Sequence, residues 1–175
     1  QIPLFIEKPP GLAPEQTKIL TELADKHKTQ TMVGYNRRFY SVFQKGLDLI
    51  HQYGSLRGVS VEGHERFWKI ARRPLSQEIR ENWIYANSTH TIDLLRLFGG
   101  EVVSVHSVHK NVQEKKGDQF IASMEFDSGV LGSYTSHWYS PGGWSVKLYG
   151  DGVTIEFKPL EQAIWLDIEF NKNEI

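Results

Sequence analysis

The chain opens on a run that is apolar at almost every position, Ile2 to Ile6, halted by Pro9-Pro10. Apolar residues on both sides of a strand suit a strand covered on both faces, so this run predicts a buried strand of a parallel sheet. Between Ala13 and His27 the residues Ile19, Leu20, Leu23 and Ala24 recur at helical spacing, with Pro14 near the first helical position and basic residues at the far end. That pattern predicts an amphipathic helix. Thr29 to Tyr35 is a second apolar run, and the order strand, helix, strand is that of a right-handed crossover unit of a parallel sheet. Arg38 to Tyr53 carries Phe39, Val42, Phe43, Leu47 and Ile50 at intervals of three and four and meets Gly54, which predicts a second helix with a glycine stop.

The character then changes. Leu56 to Phe67 alternates well enough for a strand, whereas Trp68 to Trp83 is charged, interrupted by Pro74 and without clean period, and reads as a long loop. Asn87 to Phe98 places Ile92, Leu94, Leu95, Leu97 and Phe98 on a broad apolar face ending at Gly99-Gly100, a third helix with its stop. From Glu101 the period falls to two. Val103 and Val105, Phe120 to Phe126, Val130 to Tyr139, Val146 to Tyr149 and Val153 to Phe157 are joined by turns such as Asp127-Ser128-Gly129 and Gly150-Asp151-Gly152, which predicts an antiparallel meander. The expected fold class is therefore α/β passing into α+β: the remnant of a parallel sheet, then a large, mainly antiparallel open sheet with helices on one face. The boundary falls between Tyr35 and Phe39, giving units 1–37 and 38–175.

With 175 residues and 39% apolar content the chain has enough material for one globular unit or two small ones. Twenty basic residues against 21 acidic ones leave a formal charge of −1, so neither a nucleic-acid footprint nor an acidic tail is implied. The lack of cysteine excludes disulfide scaffolds, thiolate zinc sites, Fe–S clusters and cysteine nucleophiles, and fits a reducing cytoplasm as the expected location. No run approaches the 18 or so apolar residues of a membrane span, and no membrane partner is expected. The start at Gln1-Ile-Pro, without Met or a basic-then-apolar leader, reads as a chain entered partway through, a fragment.

Few short motifs carry chemistry. A dinucleotide site needs a glycine-rich turn between a strand and a helix, because pyrophosphate must approach backbone N–H groups at a helix N-terminus. None is present: the Gly150 to Gly152 pair has Ile155 where a third glycine would fall and a strand after it, so it reads as a hairpin turn. His106 and His109, three apart on a strand, point to opposite faces, and no metal site is expected. Asn87-Ser88-Thr89 matches a glycosylation triplet but reads as a helix N-cap. Arg66, Lys69, Arg72 and Arg73 in the long loop could clamp a phosphate or carboxylate or simply be solvated. His90 stands at the start of the third helix, three residues from both Asn87 and Asp93, while Lys8 ends a parallel strand, where open α/β sheets place their ligands.

Glu7-Lys8-Pro9 after the first strand, Gly34-Tyr35-Asn36-Arg37-Arg38-Phe39 after the second, and the segment from His90 through Asp93 to Gly99 together resemble the glucose-fructose oxidoreductase / inositol dehydrogenase / MocA-type family of NAD(P)-dependent oxidoreductases. The resemblance continues through Phe126 to Gly132 and Leu148 to Gly152. It implies a two-domain enzyme with an N-terminal Rossmann domain for NAD or NADP and a C-terminal α/β domain carrying the substrate pocket and often the dimer interface. This chain would supply the end of the Rossmann sheet (1–37) and most of the C-terminal domain (38–175), so that alone it would not catalyse.

The resemblance assigns Lys8 a place beside the nicotinamide and the reacting hydroxyl, and His90 the role of general base. Glu7, Lys8, Pro9, Asn36 and Arg37 are the implied cofactor-side residues; Trp83, Tyr85 and Asn87 are the expected substrate side, for a sugar or polyol. In the family an Asp four residues before the His orients the imidazole; here that position is Ala86, a departure that leaves the orientation of His90 to Asn87, Tyr85 or the substrate. Arg38 is as readily a structural ion-pair partner, and Asp93 a structural acid beneath the helix. The expected function is hydride transfer between NAD(P) and a secondary alcohol of a sugar, sugar nucleotide or cyclitol, in a homo-oligomer assembled through the open sheet. The alternative is a non-catalytic carbohydrate-binding or subunit-assembly module, which Ala86 favours.

Overall fold

A computed structural model describes residues 2–175. Strand β1 (Leu4–Ile6) runs parallel to β2 (Thr31–Val33), with Phe5 opposite Met32, and helix α1 (Pro14–Lys26) crosses between them. Pro14 at the first helical position and Glu15 in the first turn start α1 as its sequence implies. Within this chain β1 is left uncovered. Leu4 and Phe5 are 51% and 67% exposed, α1 buries no residue fully, and a hollow of about 390 Å³ separates Leu20 and Leu23 from Leu4 and Val33. Two strands and one helix do not have the area to close over one another, so the apolar residues that make these elements remain on the surface.

A turn of 3-10 helix (Asn36–Phe39) leads into α2 (Ser41–Tyr53), whose inward face is Phe43, Gly46 and Ile50. Eight strands follow in one sheet: β3 (Leu56–Gly63), β4 (Val102–Lys110), β5 (Gln119–Phe126), β6 (Leu131–His137), β7 (Trp144–Gly150), β8 (Val153–Phe157), β9 (Ala163–Asp167) and β10 (Lys172–Glu174). Their order is β10-β9-β8-β7-β3-β6-β5-β4. The expected meander is thus interrupted: β3 slots between β6 and β7, parallel to β6 and antiparallel to β7. The remaining pairs are antiparallel, so the sheet is mixed but mainly antiparallel.

Helix α2 and a later helix, α5 (Thr89–Gly99), pack on the same face of this sheet, α2 against β8 and α5 against β3 and β6. Alternation in the central strands puts Val59, Val61, Val146, Leu148, Ile155 and Phe157 inward, all at 2% exposure or less. Each such side chain stabilises the fold by about 2–3 kcal/mol. Gly46 lets α2 approach closely, because a Cβ there would stand 2.6 Å from Phe157 Cζ. The other face is bare, with Ile121, Leu131 and Tyr149 exposed.

The segment read as a loop holds two short helices, α3 (Phe67–Ile70) and α4 (Gln77–Glu81). A second core anchors them, built from Phe67, Ile70, Trp83 and Trp138, with Phe67 and Trp138 stacked at 5.0 Å. The third helix also differs from expectation. A π-helical turn (Ile84–Ser88) runs straight into α5, so Asn87 and Ser88 are helical and cap nothing; their side chains turn instead to the carboxylate of Glu65. Gly100, at φ 100°, ends α5 as expected. Arg38 and Asp93 form a bidentate ion pair, Nε to Oδ2 at 2.6 Å and Nη2 to Oδ1 at 2.7 Å, tying the 3-10 turn to α5. Among the described residues no helix is long and apolar enough to cross a membrane, and no three His, Asp or Glu side chains converge on a metal-sized site.

Candidate active site

Both short parallel strands end at the same rim, facing the start of α5. Lys8 follows β1 and reaches the π-turn, where its Nζ donates to the Ala86 carbonyl at 2.6 Å. At this residue, where the resemblance implies an Asp, it is the backbone carbonyl that accepts from the ammonium. Burial, and then Arg37, lower the Lys8 pKa, while Glu7 and Glu65 oppose them. Pro9 follows through a cis peptide bond. After β2, Arg37 donates from Nη1 to Asn36 Oδ1 at 3.1 Å and lies over the Trp144 ring, 4.7 Å from its centroid.

His90, in the first turn of α5, is only 6% exposed. The Tyr35 ring meets it edge-on at 6.1 Å and Trp144 lies at 6.1 Å on another side. Its Nδ1 is buried without a hydrogen-bond partner among the described residues. Burial first, then the cations of Arg37 and Lys8, bring its pKa down to about 4, so the imidazole is neutral at pH 7. With Nδ1 sealed, proton exchange falls to Nε2.

Behind this pair sits an acid. Glu65 is 4% exposed and accepts from Asn87 Nδ2 at 3.0 and 3.2 Å and from Ser88 Oγ at 3.1 Å. Burial raises its pKa; the bonds from Asn87 and Ser88 and the indoles of Trp83 and Trp144 pull the other way. Trp83 Nε1 is near enough to favour the charged carboxylate but short of hydrogen-bond geometry. Glu65, Trp83, Asn87 and Trp144 border a hollow of about 510 Å³.

The structure thus gathers Lys8, Arg37 and His90 electrostatically, with Glu7 and Glu65 facing Lys8, Asn36 beside Arg37, and Asn87 and Trp83 reaching the group through Glu65. Tyr85 is not among them. Two residues along a helical turn amount to roughly half a revolution from Asn87, and Tyr85 lines a separate apolar hollow with Val105, Phe120 and Ile121. The structure does not bring Tyr85, expected on the substrate side, to the hollow that Trp83 and Asn87 line. Sequence reasoning missed Tyr35, Glu65 and Trp144. Only Glu65 left a trace, since its parity continues that of Val59, Val61 and Gly63 on the inward face of β3.

The sequence profile of the GFO/IDH/MocA C-terminal domain matches residues 52–156. The chain belongs to the GFO/IDH/MocA family, contributing its C-terminal portion. Among curated proteins no relative matches. Solved structures match the fold over almost the whole chain. Levoglucosan dehydrogenase in complex with NADH and L-sorbose superposes with a TM-score of 0.80 at 16% identity, covering 99% of this chain and 53% of that one. An oxidoreductase from Agrobacterium radiobacter in complex with NAD+, L-tartaric acid and magnesium gives 0.78 at 15%, covering 99% and 54%. UDP-N-acetylglucosamine 3-dehydrogenase from Acidithiobacillus ferrooxidans gives 0.77 at 19%, covering 99% and 55%. At these identities the likeness is one of fold, and the chain spans little more than half the length of the proteins it matches.

Proposed function

We propose that this chain is the substrate-bearing part of an NAD(P)-dependent oxidoreductase that moves a hydride between nicotinamide and a secondary alcohol carbon of a sugar, sugar nucleotide or cyclitol. Residues 1–37 are then the end of the dinucleotide-binding domain, and 38–175 the substrate and oligomerisation domain. The observation that supports this best is the meeting of a cation, Lys8, with an imidazole held neutral at pH 7, His90, at one rim.

The donors at that rim fit a nicotinamide cofactor: Lys8, Asn36 and Arg37 end two parallel strands on the side where open α/β sheets take their ligands, and they offer amide and cationic groups to a carboxamide and to phosphates. When bound, the nicotinamide supplies the hydride acceptor or donor. Lys8 stabilises the negative charge that develops on the substrate oxygen. His90 takes the hydroxyl proton at Nε2, its neutral form being the one able to accept. Asn87, on the wall of the hollow and held by Glu65, brings an amide suited to neighbouring sugar hydroxyls, and the bare face of the sheet, with Ile121 and Leu131, suits a second copy of the chain.

In the longer protein carrying this chain, NAD+ or NADP+ should be reduced with at least one sugar of a panel. Lys8→Met should cut kcat/KM by about a hundredfold or more while leaving the fold intact by circular dichroism; full activity in that variant would overturn the assignment. A second reading, a carbohydrate-binding or assembly module without chemistry, is favoured by the unpartnered Nδ1 of His90. It predicts sugar binding with no nicotinamide turnover.

A further inference from the structure

The hollow beside Glu65 does not end there. A larger one of about 690 Å³, bordered by Arg37, Trp68 and Lys158, shares its wall: Arg66, Lys69, the Gly142-Gly143 pair and Trp144 line both. They form one groove. Trp144 is its hinge with the reacting pair, since the same indole lies 6.1 Å from His90 and under Arg37.

The groove is cationic in a chain whose net charge is −1. Arg37, Arg66, Lys69, Arg73 and Lys158 line it, against the carboxylates of Glu65 and Glu161. Glu65 is closed off by Asn87 and Ser88, and Glu161 accepts from the Tyr40 hydroxyl at 3.2 Å. Lys158 pairs with Glu62 at 3.1 Å. Among the described residues the other four cations make no ion pair; Arg66 donates only to the neutral Gly142 carbonyl, at 3.3 Å. Five cations against two carboxylates leave an excess of positive charge along the groove, which raises the energy of the folded chain, and an anion relieves that repulsion. Guanidinium forks suit the geometry of phosphate oxygens, and the combined space fits a sugar with one or two phosphates rather than a small ion alone.

We propose that this groove, from Arg37 and Trp144 to Lys69 and Arg73, binds the phosphate or diphosphate group of a sugar phosphate or sugar nucleotide, making that anion the specificity handle of the site. Its role as a substrate handle rests on the hydride-transfer reading above; its affinity for a phosphorylated ligand does not, and is measured without cofactor.

The test is titration of the 175-residue chain with inorganic phosphate, glucose 1-phosphate, UDP and glucose, followed by tryptophan fluorescence and calorimetry. UDP and glucose 1-phosphate should saturate and glucose should not, with binding weakening at least about tenfold between 50 and 500 mM salt. The exposed pair Lys69→Glu and Arg73→Glu together should lose about tenfold or more in affinity, whereas Lys45→Glu on the outer side of α2 should not. UDP favoured over glucose 1-phosphate identifies a diphosphate, and the reverse a monophosphate; either supports the groove. No saturation by any phosphate at about 10 mM, roughly the weak limit of specific recognition, would overturn it, as would glucose binding as tightly as UDP or unchanged affinity in the double variant. A single-stranded oligonucleotide binding more tightly than UDP would also overturn it in favour of nucleic acid. Absent turnover with intact UDP binding would instead defeat the hydride assignment and leave the groove standing.

Discussion

The two sheets of this chain solve the burial problem to very different degrees. Between the eight-stranded sheet and its two helices Ile50, Leu94, Leu148, Ile155 and Phe157 are wholly shielded, whereas in the β1-α1-β2 unit no side chain is buried and Phe5, Ile19 and Met32 face outward. Yet the unit without a core carries Lys8, and the unit with one carries His90. Within this chain the candidate site is therefore assembled between a unit with a core of its own and one without, joined by the Lys8 bond to Ala86 and, just after β2, by the Arg38–Asp93 pair.

That contrast can be broken or sharpened in order of effect. Leu148→Ala should cost about 3–5 kcal/mol by urea denaturation, and Leu20→Ala in α1 less than about 0.5 kcal/mol; equal costs would erase the difference between the sheets. Acid should act next, through His90. Its folded pKa of about 4 lies below the unfolded 6.5, so between those values the unfolded chain holds more protons. The His90 contribution is complete above pH 6.5 and lost as the pH falls to 4, by about 3 kcal/mol at most. Glu65 works the other way: its raised pKa means that stability declines as the pH climbs past 4.5. A pH series of denaturation curves on the wild type and His90→Gln should show the acid-side slope flattened in the variant. Arg38→Ala, which strands the largely buried Asp93, should cost about 2 kcal/mol in the same assay and should loosen hydrogen-exchange protection in β1 and β2 more than in β7.

How far the sequence reveals these features depends on whether each leaves a local signal. The crossover unit, α2, α5 and most strands follow from apolar period and glycine stops, while Lys8 and His90 are singled out by their resemblance to family motifs. Pairing is not local: nothing in Leu56 to Gly63 says that β3 inserts between β6 and β7, because that choice is made by residues far along the chain. Strands β9 and β10 are short and lack strict alternation, so nothing marked them. The π-turn at Ile84–Ser88 has a period close enough to the α-helix that Asn87 and Ser88 pass for caps. Tyr35 and Trp144 come to His90 from a strand exit and a strand start, where an aromatic residue is as often core as site. Glu65 was readable only by parity, and parity is easily dismissed for a charged residue at a strand's end.

The central claim is that Lys8 and His90 confront each other at one rim without an acid between them. It is tested most directly by following the His90 imidazole by NMR through an acid titration, in the wild type and in Lys8→Met. The account predicts a midpoint near 4 that moves upward when the ammonium is removed. A wild-type midpoint near 6.5, or one that does not respond to the loss of Lys8, would contradict it.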